Sequence, residues 1–124
     1  MTFGIGSGKL LSTSSYRAQT GPNLLGFGTT VPDCTDLACA QQTNGYNYGL
    51  GIVRSGSWLY QNPLFAGGGA TEAYLATGKI AIAVAVTFDS EAFDAQGSEP
   101  NSSTQIFRAI GTYLAPHDAP PSKK

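Results

Sequence analysis

The chain has 124 residues, which suits one domain with a hydrophobic core of its own. Hydrophobic residues make up 41% of it and charged residues only 12%, while 16 glycines and 7 prolines indicate many turns, so the composition favours sheet and loops over a helical bundle. The formal net charge is −1 and the longest basic cluster is Lys123-Lys124, which argues against nucleic acid as a partner.

The hydrophobic segments are too short for a membrane span. The longest apolar run, Ile80 to Val86, cannot cross a bilayer but is long enough for a buried strand. Residues 1–8 lack both the basic start and the apolar stretch of a secretion signal. This leaves two alternatives, a cytoplasmic protein or a leader that lies upstream of Met1.

The first third of the chain predicts a short helix followed by a long loop. Ser12 can accept a backbone N–H from the first turn of a helix that runs to about Gln19, and Gly21-Pro22 cannot continue that helix. From Asn23 to Thr43 nothing repeats at the period of a helix or a strand.

The predicted loop contains both cysteines, Cys34 and Cys39, whose spacing permits a disulfide if the loop bends. Free thiols are the alternative. A disulfide would imply an oxidising, extracytoplasmic compartment. No second Cys or His pair completes a zinc site, so we expect neither a metal nor a cofactor.

The middle of the chain alternates apolar and polar residues. Residues 46–53 predict one strand, Arg54 to Ser57 a turn, and Trp58-Leu59-Tyr60 the returning strand of a hairpin. After the glycines at 67–69, which permit unusual backbone geometry, residues 70–76 can extend again.

A turn at residues 76–79 leads into a strand over Ile80 to Val86. The small face of this strand, made of Ala81, Ala83 and Ala85, predicts that a helix packs closely against it.

The last predicted element is that helix. Its apolar residues fall at i, i+1, i+4, i+7 and i+8 and form one stripe that we expect to face the sheet: Ile106, Phe107, Ile110, Tyr113 and Leu114. Ser102 and Gln105 form a possible capping box, and Pro116 ends the helix. Residues 89–101 before it predict a solvated loop.

These elements predict an α+β fold: an antiparallel sheet of about three to four strands, with the C-terminal helix packed on one face and a short N-terminal helix. We expect a single domain over residues 1–115 and a disordered tail over residues 116–124. One helix leaves part of the sheet without cover, as in a piece cut from a larger α/β domain.

Four strings, in this order and spacing, resemble the C-terminal part of the β-lactamase and penicillin-binding-protein superfamily, especially class C β-lactamases and actinobacterial D-alanyl-D-alanine carboxypeptidase-like hydrolases. The resemblance spans residues 8–114 and implies a partial β-lactamase-like fold. The strings are Gly8-Lys9-Leu10-Leu11-Ser12 with Ser15-Tyr16-Arg17, Tyr48-Gly49-Leu50-Gly51-Ile52, Trp58-Leu59-Tyr60-Gln61-Asn62-Pro63, and Lys79-Ile80-Ala81-Ile82-Ala83-Val84.

Catalysis in that superfamily needs a serine with a lysine one helical turn later, so that the amine can take the proton of the hydroxyl. None of the four lysines here has a serine three residues before it; those positions hold Gly6, Ala76, Pro120 and Pro121. Tyr60-Gln61-Asn62 matches the second family motif literally, but the family carries that motif earlier in the chain, so we interpret the match as coincidence. No catalytic residue is predicted.

The third family motif is a Lys or His, a small residue and a Gly on the strand that lines the substrate cleft. Its place here is taken by Phe65-Ala66-Gly67. The resemblance therefore implies a substrate-binding strand at Phe65, Ala66, Gly67 and Gly68, which would bind through backbone groups and would suit a less polar ester or amide. The alternative is that the glycines only bend a strand.

Other residues invite functional interpretations that we consider weaker. The sole histidine, His117, precedes Asp118 in the predicted tail, and a solvated surface position is a simpler interpretation than a catalytic triad. For Glu72 the simpler interpretation is a surface carboxylate. Gly4-x-Gly6-x-Gly8 lacks the context of a phosphate loop. Aromatic residues at 46, 48, 58 and 60 could stack on a ligand but are more simply core.

The expected function follows from the resemblance. The chain is expected to be the C-terminal segment of an exported serine hydrolase acting in cell-wall or related amide and ester hydrolysis, inactive alone, with the missing N-terminal portion or a second copy of itself as partner. The alternative is a non-catalytic binding or assembly module that oligomerises through an exposed sheet face or edge.

Overall fold

The computed structural model describes residues 4, 6–34, 37–93, 95 and 101–122. The fold is α+β, as predicted: a six-stranded antiparallel sheet with helices before and after it. The elements are α1 (Thr13–Thr20), β1 (Asn47–Tyr48), β2 (Val53–Ser55), β3 (Trp58–Gln61), β4 (Leu64–Phe65), β5 (Gly68–Leu75), β6 (Ile80–Thr87) and α2 (Ser102–Leu114).

The long strand β5 organises the sheet. One of its edges pairs first with β4 and then with β3, while its other edge pairs along its whole length with β6. Strands β2 and β1 continue the sheet beyond β3. The described residues form six strands where three or four were predicted, because the short hairpins β1–β2 and β4–β5 each add a strand of two or three residues.

The prediction of one strand over residues 46–53 is wrong. The segment folds back on itself, so that Tyr48 pairs with Val53 and the Gly49 N–H donates to the Ile52 carbonyl at 2.7 Å. Gly51 has φ +74°, a conformation that glycine adopts without steric cost. The hairpin predicted next is confirmed, since Ser55 pairs with Trp58.

The prediction that a helix packs on the alanine face of β6 is also wrong. Ala81, Ala83 and Ala85 are exposed, and α2 lies against the opposite face, where Ile82 is buried together with Phe107. The branched side chains supply more apolar area than the alanines, so burying them stabilises the fold more.

Only part of the predicted stripe of α2 faces the sheet. Phe107 is 1% exposed, whereas the other four members of the stripe are exposed: Ile106, Ile110, Tyr113 and Leu114. The sheet-facing positions beside Phe107 are occupied instead by Ser103, Thr104 and Gly111, which are buried. Periodicity correctly predicted the helix, but apolar residues alone did not identify the face that packs.

The core lies between this face of the sheet and α2. The Trp58 ring meets the Phe107 ring edge-on, with centroids 5.2 Å apart, and the Tyr60 ring also packs against Phe107, with centroids 5.5 Å apart. Leu75 pairs with Trp58 across β5 and β3 and is also buried. The aromatic residues at 46, 58 and 60 are therefore core, as the simpler interpretation held, whereas Tyr48 is 37% exposed and is not part of the core.

The chain is ordered beyond α2, contrary to the predicted disorder of residues 116–124, of which 123 and 124 lie outside the described residues. Pro116–Asp118 forms a 3-10 turn, and the Trp58 indole N–H donates to the Asp118 carbonyl at 2.7 Å. Pro120 is buried. Hydrogen bonding and burial on Trp58 offset the entropy cost of ordering this segment.

The N-terminal segment covers part of the opposite sheet face. Helix α1 is capped as predicted, since the Ser12 hydroxyl accepts from the Ser15 N–H at 3.2 Å. Gly6 packs directly on the Tyr74 ring, and the Tyr16 hydroxyl donates to the Gly6 carbonyl at 2.5 Å. Burial, and secondarily Tyr74, raises the pKa of Tyr16, which keeps this donor protonated.

The loop after α1 is closed by a Cys34–Cys39 disulfide, with the Cα atoms 5.7 Å apart. Backbone hydrogen bonds from Gly26 to Gln42 and from Val31 to Cys39 tie its two legs together. The predicted disulfide is confirmed. No helix in the described ranges is long and apolar enough to cross a membrane.

Replacing Phe107 with alanine should destabilise the protein by about 3–5 kcal/mol, because it leaves a cavity beside Trp58 and Tyr60. Urea unfolding followed by circular dichroism measures the loss. Tyr113→Ala, on the same helix but 84% exposed, is the matched control and should change stability by about 0.5 kcal/mol or less. Equal losses in both variants would contradict the packing of Phe107 between α2 and the sheet.

Replacing both Cys34 and Cys39 with serine should destabilise the fold by about 2 kcal/mol, because the disulfide closes a short loop in the unfolded chain. Thermal unfolding measures the change, and reduction of the unmodified chain should reproduce it. Thiol titration of the denatured, unreduced chain should find no free thiol, and two free thiols would contradict the disulfide.

Candidate functional site

The four residues predicted to bind substrate lie together at the tip of the β4–β5 hairpin. Phe65 ends β4, Ala66 and Gly67 form the turn, and Gly68 begins β5 directly opposite Phe65. The hairpin is held to the end of β6, because the Phe88 N–H donates to the Gly67 carbonyl at 3.0 Å.

Glycine is required at two positions of this tip. Gly67 has φ +86°, in the left-handed region. At Gly68 a Cβ atom would lie 2.9 Å from the Val86 carbonyl oxygen, so the two strands could not approach as they do. The alternative interpretation of the glycines as a means of bending the strand therefore has a structural basis, and it is compatible with binding through the backbone.

The hairpin tip presents apolar surface to solvent. Phe65 is 61% exposed and its neighbour Leu64 is 53% exposed, while Ala66 and Gly67 are exposed between them and β5. A side chain of this kind offers contact area to an apolar group and no charge for a carboxylate. The tip can therefore supply apolar contact to a ligand, and the backbone of its Ala66-Gly67 turn is exposed beside that surface.

A cluster of hydroxyl and amide side chains fixes the hairpin to α2. The buried Thr71 hydroxyl lies 2.9 Å from that of Ser103 and 3.1 Å from that of Thr104. The Ser103 hydroxyl donates to the Asn101 side-chain oxygen at 2.6 Å, and the Asn101 amide donates to the Asn62 carbonyl at 3.2 Å. These bonds connect β5, the start of α2 and the segment between β3 and β4.

Sequence reasoning missed this hydroxyl–amide cluster. It placed a capping box at Ser102 and Gln105, whereas Asn101 is the N-cap and its side-chain oxygen accepts from the Thr104 N–H at 3.2 Å. The available signal was the position of hydroxyl residues on buried faces, with Thr71 in the middle of a strand and Ser103-Thr104 on the sheet side of a helix. Buried hydroxyls need partners, which predicts that they meet.

Several serine hydroxyls donate hydrogen bonds, and their acceptors are oxygen atoms. The serines are Ser7, Ser12, Ser55, Ser57, Ser90 and Ser103. An amine or imidazole would be needed to take a proton from a nucleophilic hydroxyl. In these hydrogen bonds, none of the six serine hydroxyls donates to an amine or an imidazole.

Within the described residues, the C-terminal His-Asp pair does not form a triad with a serine. Asp118 is bonded directly by the Ser57 hydroxyl at 2.8 Å and by the Thr77 hydroxyl at 3.3 Å, and His117 is exposed. A triad would place the imidazole between the serine and the carboxylate. These bonds instead attach the C-terminal segment to two turns of the sheet.

Other candidate residues lie apart from the hairpin tip. Glu72 is half-buried on the open face of the sheet, between Gln61 of β3 and Ala83 of β6. Gly6 packs against Tyr74 and serves the fold. No group of His, Cys, Asp and Glu in the described part of the chain is arranged to hold a metal ion.

A second surface, which we name the β6 flank, consists of the outer edge of β6 together with Ile106, Ile110 and Tyr113 of α2. Among the described strands β6 pairs only with β5, so its far edge is unpaired by any of them. The strand is eight residues long and has no charged residue. Such an edge is open to pairing with another strand.

The apolar residues of α2 belong to this flank because of the way the helix is rotated. Gly111 lies against Trp58 of β3, and Thr104 bonds to Asn62 just beyond β3. At about 100° per residue, Ile110 and Tyr113 lie on the other flank of the helix. That flank is on the β6 side, because β6 and β3 pair with opposite edges of β5.

Comparison of the chain with protein-family models, with curated proteins and with solved structures finds no match.

Replacing Gly67 with valine should destabilise the protein by about 1–2 kcal/mol, because a β-branched residue is strained at φ +86°. Gly67→Asn is the matched control, since asparagine tolerates the left-handed region better, and it should lose less than the valine variant. Urea unfolding measures both. Equal stability of the valine variant and the unmodified chain would contradict the described turn.

Proposed function

We propose that the chain is the C-terminal, sheet-forming segment of a serine hydrolase resembling β-lactamases and penicillin-binding proteins, which hydrolyses amides or esters of the cell wall or related compounds. In this proposal the chain contributes part of the cleft wall and no nucleophile. The hydrolytic serine and its lysine come from the N-terminal portion of the same hydrolase. The chain is inactive alone.

The observation that carries this proposal is the open β6 flank. An eight-residue apolar strand ends the sheet without a charge, a proline or a covering helix from the described residues. Edge strands of complete domains are usually protected by one of these means. A strand and a helix of the N-terminal portion would extend the sheet at β6 and cover Ile106, Ile110 and Tyr113 of α2.

The hairpin tip supports the assignment of a cleft wall. Phe65 stands where the family has a Lys or His that binds the substrate carboxylate, and it is exposed. A substrate held against this tip would be bound by contact with Phe65 and by backbone groups of the exposed Ala66-Gly67 turn, other than the Gly67 carbonyl that accepts from Phe88. The substrate class that suits these groups is a less polar ester or amide.

The disulfide supports export of the parent protein. Cys34 and Cys39 are bonded in a loop that lies on the surface, where the thiols of a cytoplasmic protein would be kept reduced. In this proposal the hydrolase acts in the cell envelope or outside the cell.

A second candidate function is a non-catalytic assembly module. The specific observation in its favour is the same uncharged edge of β6, because an edge strand that serves oligomerisation must also lack blocking charges. The two candidates differ in the DNA upstream of the Met1 codon. An in-frame Ser-x-x-Lys helix supports the hydrolase segment, and a promoter and start codon directly before Met1 support the module.

The purified chain should hydrolyse neither nitrocefin, nor p-nitrophenyl esters, nor a D-Ala-D-Ala peptide above the rate in buffer. The reason is that it contains no serine with a lysine three residues later. Initial-rate assays with each substrate measure this, with an authentic class C β-lactamase as positive control. Turnover comparable with the control, abolished by a point substitution in this chain, would overturn the proposal.

A further inference from the structure

We infer that the chain, without the rest of a hydrolase attached, forms a two-fold symmetric dimer in which β6 pairs antiparallel with β6 of a second copy. The interface is the β6 flank of both copies, and the sheet becomes continuous across it. This inference rests on the second candidate function, the assembly module, which it makes specific, and it does not require the hydrolase proposal.

The alternation of side chains restricts the register of such a pair. Residues opposite each other in an antiparallel pair must point to the same face, so an alanine of β6 must meet an alanine and a branched residue must meet a branched residue. Centring the pair on Val84 satisfies this condition. Ile82 then lies opposite Val86 of the second copy, and Ala83 lies opposite Ala85.

Charge complementarity favours this register. Lys79 immediately precedes β6 and Asp89 follows it by two residues, and both are exposed. With Val84 on the two-fold axis, this register brings Lys79, in the turn that leads into β6, near Asp89 of the other copy. The pair of strands would thus be apolar along its length and bounded by an oppositely charged pair at each end, which sets the register and the direction.

The two α2 helices would also meet. A two-fold axis perpendicular to the sheet keeps both helices on the same face, with their β6 flanks towards each other. Strands spaced by about 4.8 Å place two helices that each lie midway between β5 and β6 roughly 10 Å apart, which is the spacing of packed helices. Side chains of Ile110 and Tyr113 from both copies can fill the space between the two helices. In a single copy Tyr113 is 84% exposed.

Sedimentation velocity of the isolated chain at micromolar concentrations tests the inference. The unmodified chain should sediment with twice the 12.9 kDa mass of one copy. Ala83→Lys with Ala85→Lys should abolish the dimer, because each new lysine lies opposite another lysine across the axis. Both alanines are exposed, so this variant should keep the circular dichroism spectrum of the unmodified chain.

Two further sets of variants distinguish the effect of lysines at the β6 edge on dimerisation from the effect of added charge elsewhere on the chain. Gln105→Lys with Ala109→Lys adds the same charge on the side of α2 away from the sheet and should leave the dimer intact. Lys79→Asp should raise the dissociation constant roughly fivefold by placing two carboxylates together, and adding Asp89→Lys should restore it.

Three results would overturn the inference: a monomeric unmodified chain, an assembly larger than a dimer, or a dimer that withstands the two lysines at residues 83 and 85. Restored affinity in the Lys79→Asp, Asp89→Lys variant supports the stated register, and its absence overturns that register. The hydrolysis assays are independent of all these outcomes, so the failure of one proposal can be told from the failure of the other.

Discussion

The rest of the structure depends on the packing and the hydrogen bond of the Trp58 side chain. Its ring is fully buried and packs edge-on against Phe107, which fixes α2 to the sheet. Its indole N–H donates to the Asp118 carbonyl, which brings the C-terminal segment back over the core. The Asp118 carboxylate in turn accepts hydrogen bonds from Ser57 and Thr77. The Trp58 side chain therefore links its own hairpin, helix α2 and the C-terminal segment.

The elements that the sequence predicted well are those in which local pattern and tertiary packing agree. Strand β6 and helix α2 each carry enough apolar residues at one period to be recognised, and Ser12 caps α1 by bonds within one turn. The prediction of one strand over residues 46–53 was wrong because Gly49 and Gly51 permit the chain to reverse its direction. Alternation of apolar and polar residues does not reveal such a turn. The face of β6 that is buried is determined by contacts with α2, which lies far away in the sequence. The pattern within β6 therefore could not identify that face.

The candidate site was partly predictable for the same reasons. The glycines at 67 and 68 predicted special backbone geometry, and the structure places them in a tight hairpin tip beside Phe65. The hydroxyl–amide cluster behind the tip was not predicted, because Thr71 and Ser103 are far apart in the chain and neither has a local pattern. A cluster of this kind is visible in a sequence only as polar residues at positions that ought to be apolar.

Gly111 has a consequence for how the protein can be studied in solution. A Cβ atom there would lie 2.6 Å from Pro120 and 3.3 Å from the Trp58 ring, so only glycine lets the chain end close over the indole. Trp58 is the sole tryptophan of the chain. Its fluorescence is therefore an intrinsic reporter of this closure: emission at short wavelength belongs to the covered indole, and a shift to longer wavelength marks release of residues 116–122 into water.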